Sequence, residues 1–312
     1  MDQADIVARA AWLYHVEGLT QAEIAERLGL TRRRVNEMLA SALKDGLVSV
    51  SFNTGLADCM ALEAQLREAF GLEDAVVAPT PADPEQLHSV LGRVAAGYLG
   101  RTINKVKPRS LGVGWGATLK ETVHFMAPMH VPGLEVHSMM GGLTQGSEIN
   151  TFEIVRGFAQ VLGARCSYLV APIYAESAES RDAIISQTVF RRTFAAISEV
   201  DIAFLSVGDV SDRSLQVRYG LPEGVKAADL KRAGAVGDII GRYLDANGEP
   251  VAHDINAQVL APELDQFRRI PCRIVASGGA HKREIVKAVV KSGLATALVT
   301  DEETARTMLA GR

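Results

Sequence analysis

Three consecutive arginines, Arg32-Arg33-Arg34, follow Thr31 and are followed in turn by Val35 and Asn36. A guanidinium can grip guanine through two hydrogen bonds, and an asparagine amide can do the same to adenine. At the start of a helix, such residues are the ones that meet base edges in a helix-turn-helix. Thr20, Gln21, Thr31, Arg32, Arg33, Arg34 and Asn36 are therefore the candidate DNA-contacting residues. A helical hairpin with a solvated arginine face is the plainer alternative.

A second set of polar groups is tied to glycine-rich turns. They are Gly112-Val113-Gly114-Trp115-Gly116-Ala117-Thr118, Gly141-Gly142-Leu143-Thr144-Gln145, Gly208-Asp209 and Ser277-Gly278-Gly279-Ala280-His281-Lys282. Bare amides at a helix N-terminus bind anions or hydroxyls, and a lysine there suits a phosphate or carboxylate. Asp209, Asp238 and Asp254 can each accept a sugar hydroxyl proton, although a lone aspartate is more often a turn or cap residue. The dinucleotide pattern G-x-G-x-x-G is not met, because the third glycine, Gly116, comes one residue early. No cofactor is expected. Asp209 or Asp254 beside His253 or His281 would suit proton abstraction from a carbon acid. That makes a sugar-phosphate isomerase or deaminase with a fused DNA-binding head the alternative reading, although no catalytic residue is assigned.

The elements that must hold these groups are legible in the periodicity. Ile6, Ala10, Leu13 and Val16 recur at helical spacing beside Trp12, and Gly18 ends that helix. Thr20 with Glu23 forms a capping box opening a second helix, whose inner face is Ile24, Ala25 and Leu28. Gly29 supplies a positive φ in the turn. Thr31 caps a third helix with Val35, Met38 or Leu39, and Ala42 or Leu43 inward. Gly46 stops it, and residues 47–52 alternate like a short strand. Residues 1–52 thus predict a helix-turn-helix, winged-helix-like domain. Leu62, Leu66 and Phe70 predict a linker helix at about 56–70, with an apolar stripe suited to pairing with a second chain.

From residue 74 the pattern changes. Strand-like runs fall at 75–78, 110–114, 134–139, 165–170, 201–207, 235–240, 273–276 and 297–300. Helical stretches at 86–105, 152–162, 181–197 and 283–291 lie between several of them. Such alternation predicts a large α/β domain over 53–312, Rossmann-like and doubly wound around a mostly parallel sheet. Ligands of open α/β sheets bind at the carboxyl ends of strands, so the glycine-marked strand ends point to one ligand-binding edge.

Composition narrows the function. The 312 residues are 47% hydrophobic and 22% charged, which is a globular balance with room for two domains. A net charge of −4 excludes a general polyelectrolyte binder of nucleic acid. Residues 1–52 hold six Lys/Arg against seven Asp/Glu, so DNA affinity must be focused at the arginine run. No apolar run approaches the ~18 residues of a membrane span. The acidic start Met1-Asp2-Gln3-Ala4-Asp5 lacks a signal's basic region, which predicts a cytoplasmic protein with no membrane partner. Cys59, Cys166 and Cys272 are widely spaced, and Pro128 and Pro132 break any helix aligning His124, His130 and His137. Neither a disulfide framework nor a metal site is expected.

The ordering resembles the SorC family of sugar-responsive bacterial transcriptional regulators across nearly the whole chain. The resemblance is carried by TQAEIAERLGLTRRRVNEML, LGVGWGATL, the paired glycines of SMMGGLTQ, FLSVGD, VGDIIGRYLDANG and SGGAHKREIVKAVVKSG. It implies a large domain like the sugar-phosphate isomerases, with catalysis lost and ligand binding kept. The implied partners are double-stranded operator DNA and a sugar, polyol or sugar phosphate, with assembly into a homodimer or homotetramer. It further implies that one end of the effector meets Gly142, Thr144, Gln145 and Arg165. The other end meets Asp254 and Lys282, with Gly114 and Trp115 lining the pocket. Gly116, Thr118, Gly141 and Asp209 complete the expected effector set. Some relatives carry a Schiff-base lysine just after the paired glycines. Leu143, Thr144 and Gln145 stand there instead, so covalent capture is not expected. The segment AAWLYHVEGLTQ is similar to the polyol-catabolism (erythritol) branch.

Overall fold

The computed structural model describes residues 3–44, 47–48, 56–143 and 150–310. The chain forms two compact units, Met1–Gly55 and Leu56–Arg312.

The first unit is built from α1 (Gln3–His15), α2 (Gln21–Leu28) and α3 (Arg32–Lys44). The start of α2 is fixed locally. The Thr20 N–H donates to Glu23 at 2.8 Å, and the Glu23 N–H donates back to the Thr20 hydroxyl at 3.4 Å. Gly29 ends α2 at φ 65°, a left-handed conformation that glycine adopts without penalty. Thr31 accepts from the Arg34 N–H at 3.2 Å and so opens α3. Ala10, Leu13, Ile24, Ala25, Val35 and Leu39 close the core, and Met38 is buried as well as Leu39. One expectation fails. Val16 is 60% exposed because α1 ends at His15, one residue before it. Gly46, residues 49–52 and the Leu43 side chain lie outside the described residues, so the strand expected at 47–52 is not described. Val48 still donates to the Ala42 carbonyl at 3.0 Å.

Among its described residues, the second unit holds ten strands. They are β1 (Asp74–Ala78), β2 (Ser110–Val113), β3 (Glu135–Ser138), β4 (Arg165–Ser167), β5 (Ile202–Leu205), β6 (Gly208–Asp209), β7 (Gly237–Ile239), β8 (Arg242–Leu244), β9 (Cys272–Ala276) and β10 (Ala297–Asp301). Its helices are α4 (Leu56–Phe70), α5 (Leu87–Val106), α6 (Ala117–Phe125), α7 (Thr151–Leu162), α8 (Ala178–Ser186), α9 (Thr188–Ser198), α10 (Ala227–Arg232), α11 (Ile255–Gln258), α12 (Leu264–Arg268), α13 (Arg283–Lys291) and α14 (Glu302–Ala310). Seven strands form one sheet in the order β1-β10-β9-β5-β2-β3-β4, with every pairing parallel. Alternate residues of a strand serve opposite faces. In β5, Ile202 and Phe204 pack with α5, α6 and α7, whereas Ala203 and Leu205 pack with α4, α9, α13 and α14. Two apolar layers result, which is why the strands read as continuous apolar runs. Phe158 of α7 meets Phe204 edge-on at 5.7 Å, a contact adding about 0.5–1.5 kcal/mol beyond area burial.

Three expectations need correction. The apolar stripe of α4 does not await a second chain, since Cys59, Leu62 and Leu66 are buried within this unit, where α4 packs on β1 and α14. The single helix expected at 181–197 is two, α8 and α9, because Gln187 is extended at ψ 141°. The run at 235–240 does not join the parallel sheet. Its strand β7 pairs antiparallel with β6 and β8 in a separate three-stranded sheet.

The second unit closes both apolar faces of its sheet with its own helices. A fragment of residues 56–312 is therefore expected to unfold cooperatively by itself. Circular dichroism melting checks this, and a broad, uncooperative transition would show that the fragment needs the first 55 residues.

Candidate functional site

In the large sheet, β9, β5, β2 and β3 are neighbours, and the glycine-rich turns leave all four at their carboxyl ends. A recess of roughly 110 Å³ opens at that edge. Gly114, Trp115 and Gly116 line it from the turn into α6, Asp209 from β6, Asp238 from β7 and Lys282 from the turn before α13. Five residues chosen from sequence thus converge with Asp238, which sequence also offered as a hydroxyl acceptor. His88, Arg213 and Gln216 line the recess as well, and no local sequence signal marked them.

Small residues let the polar ones approach. A Cβ at Gly208 would come within 2.1 Å of Asp238 Oδ1, and one at Gly278 within 2.1 Å of Asp301 Oδ2. Asp301 is buried at the end of β10 and accepts the Gly279 N–H at 2.8 Å, which anchors the turn carrying Lys282. Residues 240 and 241 join β7 to β8, with Ile240 at φ 47° and Gly241 at φ 80°. Positive φ at both central residues is the requirement of a type I′ hairpin turn. A β-branched residue there is strained by about 1–3 kcal/mol. Asp238 Oδ2 accepts the Gly241 N–H at 3.1 Å, and the Tyr174 hydroxyl donates to the Gly241 carbonyl at 2.6 Å, so the turn is held from both sides.

The electrostatics follow from burial. Loss of water pulls the Lys282 pKa down, while Asp209 and Asp238 draw it back up. Burial, followed by the charges of Lys282 and of His281 when protonated, lowers His88 to about 4, so its ring is neutral at pH 7. Its Nδ1 lies 3.0 Å from the Thr118 hydroxyl, which places Thr118 behind the recess as a support for His88. Burial pushes Asp238 up to about 6, opposed by the Gly241 N–H and Lys282 and reinforced by Asp209. Asp238 Oδ1 has no hydrogen-bond partner. The recess therefore presents a cation, two carboxylates, an aromatic side wall and the amino end of α6, a set suited to a small polyhydroxylated molecule.

Other expected residues lie elsewhere. Arg165 opens β4 at the amino ends of the strands, on the opposite edge of the sheet, where it pairs with Glu135 at 3.3 Å and remains exposed. Asp254 is an exposed residue capping α11, its carbonyl accepting the Ala257 N–H at 2.9 Å. Gly141 and Gly142 serve close packing outside the recess. A Cβ at Gly141 would strike the Pro172 carbonyl at 2.1 Å, and one at Gly142 the Phe152 ring at 2.7 Å. Thr144 and Gln145 lie outside the described residues.

On the first unit, Arg32, Arg33, Arg34 and Asn36 are all exposed along α3. Arg33 and Arg34 reach Glu37 at 3.1 and 3.3 Å and hold its carboxyl below the ordinary range. Gln21 donates to Asn36 at 3.3 Å, which links the first turn of α2 to the outer face of α3. Thr20 and Thr31 act as helix caps.

A helix-turn-helix with an arginine-lined second helix, joined to an α/β unit with a polar recess, defines a ligand-responsive transcriptional regulator. Residues 54–310 match the family described as "Putative sugar-binding domain", and residues 6–45 that described as "Sigma-70, region 4". The chain is 29% identical over 305 residues to the erythritol catabolism regulatory protein EryD of Brucella abortus (strain 2308), covering 97% of this chain and 96% of that one. It is 32% identical over 316 residues to the transcriptional regulator LsrR of Escherichia coli (strain K12), covering 99% and 96%. The full-length sorbitol operon regulator SorC from Klebsiella pneumoniae shares the fold, with a TM-score of 0.71 and 24% identity over 98% of this chain and 100% of that one. So does a transcriptional regulator from Streptococcus pneumoniae TIGR4, with a TM-score of 0.75 and 22% identity over 83% and 99%. The chain belongs to the SorC family of sugar-binding transcriptional regulators. It is a regulator, and the isomerase or deaminase alternative is not favoured. Among the described residues no helix is long and apolar enough to cross a membrane.

The Asp238 environment makes a pH-dependent contribution to stability. An ordinary aspartate titrates at 3.8 and this one at about 6, so between those values the folded state keeps a proton that the unfolded state has lost. Stability falls as pH rises through that window and stays lower above it. Asp238→Asn should stabilise the protein at pH 7.5 by on the order of 3 kcal/mol and lose that advantage near pH 4. Urea unfolding at both pH values tests this, and an equal gain at both would show that ionisation is not its source.

Proposed function

We propose that this protein controls a carbohydrate or polyol catabolic operon. Its amino-terminal unit binds double-stranded operator DNA, and its recess binds a sugar, a polyol or a phosphate ester of one. The observation that carries this reading is the convergence of Trp115, Asp209, Asp238 and Lys282 on one recess at the carboxyl edge of the sheet. The relatives named for erythritol catabolism and the sorbitol operon support the ligand class. The protein acts in the cytoplasm as a homodimer or homotetramer, since paired half-sites need two recognition helices one DNA turn, or a multiple of it, apart. The effector switches the operator only by binding the DNA-competent and DNA-incompetent states unequally. A coupling of ~1–3 kcal/mol changes operator affinity roughly 5- to 150-fold.

Effector binding is expected to raise the melting temperature. A ligand at 100 times its dissociation constant adds about 2.7 kcal/mol. Thermal unfolding against sugars, polyols and their phosphates reads this, and silence across all three classes would refute the effector reading of the recess. Arg33→Ala should weaken binding to an operator selected from random duplexes by ~1–3 kcal/mol at fixed salt. The effector-induced thermal shift should be unchanged. Equal affinity in fluorescence anisotropy would remove Arg33 from the base-reading set.

A further inference from the structure

We propose that Gln216 reads an unphosphorylated, hydroxyl-bearing carbon of the effector and so fixes which end of the molecule enters its side of the recess. This rests on the recess being the effector site. Gln216 is 2% exposed and opens a π-helical turn, Gln216–Gly220. Such turns are rare and concentrate at functional sites. Gln216 lines the recess with Asp238 and Lys282. Neither its amide nitrogen nor its amide oxygen has a hydrogen-bond partner. The neighbouring Tyr174 phenol gives its proton to the Gly241 carbonyl, and the Gln216 amide beside its oxygen opposes the rise that burial imposes on the phenol pKa. Gly220 backs the amide so closely that a Cβ there would sit 2.9 Å from Gln216 Nε2.

A buried amide that lacks well-formed hydrogen bonds is costly to the fold, and a molecule that enters the recess can supply them. Asp238 Oδ1 is a second buried oxygen lacking a partner in the same recess. Together the two side chains offer acceptors for O–H protons and an N–H donor for a lone pair. A hydroxyl, with one donor and two acceptor sites, matches both functions. A phosphate dianion has no proton for these acceptors and would face the Asp238 charge. A phosphorylated effector therefore turns its phosphate away from Gln216, toward the amides that open α6.

The test uses the full chain with Gln216→Met, which keeps length and removes both polar atoms. The probes are tetritols, pentitols and hexitols, each free and as its phosphate monoester, followed by thermal unfolding and titration calorimetry. Gln216→Met should weaken the binding of whichever probe stabilises the wild type by about tenfold, by the same factor for the free polyol and its ester. Without ligand, the variant should melt at or above the wild type, because an orphaned amide has been removed. Undiminished binding would overturn the proposal, as would a larger loss for the ester than for the free polyol. A wild type that binds no probe refutes the effector reading itself, and that failure is seen before any variant is compared. Should Gln216→Met melt below the wild type, Gln216→Glu keeps the shape while removing the N–H donors, and the same comparison of polyol and ester applies.

Discussion

The constraint on which the second unit depends is the burial of two carboxylates and one ammonium at the end of a parallel sheet. Asp209 and Asp238 are each about 4% exposed, and burial depresses the pKa of Lys282 beside them. Among the described residues, Lys282 closes no ion pair with either at 4.0 Å or less. The charges sense one another without quenching one another, so the recess stays polar and open. Holding it so takes specific backbone. Gly208 admits the Asp238 carboxylate, Gly278 admits that of Asp301, and Asp301 anchors the turn that delivers Lys282. The strained Ile240-Gly241 turn exists for the same end, since it brings Asp238 and Ile240 to the recess from one hairpin.

What sequence shows and hides follows from the range of the interactions. The helix-turn-helix was legible because its determinants are local. Thr20 and Glu23, Gly29, and Thr31 and Arg34 all act within a few residues of chain. The central parallel strands were legible because both faces are buried, which leaves uninterrupted apolar runs such as Ile202–Leu205. The three-stranded sheet was not legible. β6 is two residues long, and the β7–β8 turn is Ile-Gly, without the Asn-Gly or Asp-Gly that announces a type I′ hairpin. Arg165 was misplaced because only the carboxyl end of a strand reaches the recess, and Arg165 starts its strand.

The recess itself lies further from sequence than the fold does. His88 and Lys282 are nearly two hundred residues apart, and the π turn carrying Gln216 has no periodic signature. Glycine at a strand end signals close approach without saying what approaches. At Gly114 and Gly116 the consequence is a wall of the recess, whereas at Gly141 and Gly142 it is contact with Pro172 and Phe152. The two cases look alike until the chain folds.

Charge in the first unit makes a related point about magnitude. Its acidic residues slightly outnumber its basic ones, yet three arginines share one exposed helix start. Glu37 holds Arg33 and Arg34 in an ion-paired fork on the surface of α3. Exposed pairs of this kind contribute little to stability, so they orient the guanidiniums at little energetic penalty when a base edge or phosphate replaces the carboxylate. Weak pairing on α3 and unmet hydrogen-bonding capacity at Gln216 and Asp238 are two forms of one design, in which free energy withheld from the unliganded fold is available to binding. In a regulator that withholding has a use. A recess whose polar groups were already satisfied would gain little from its effector, and an effector that gains little in one state over another cannot move an equilibrium.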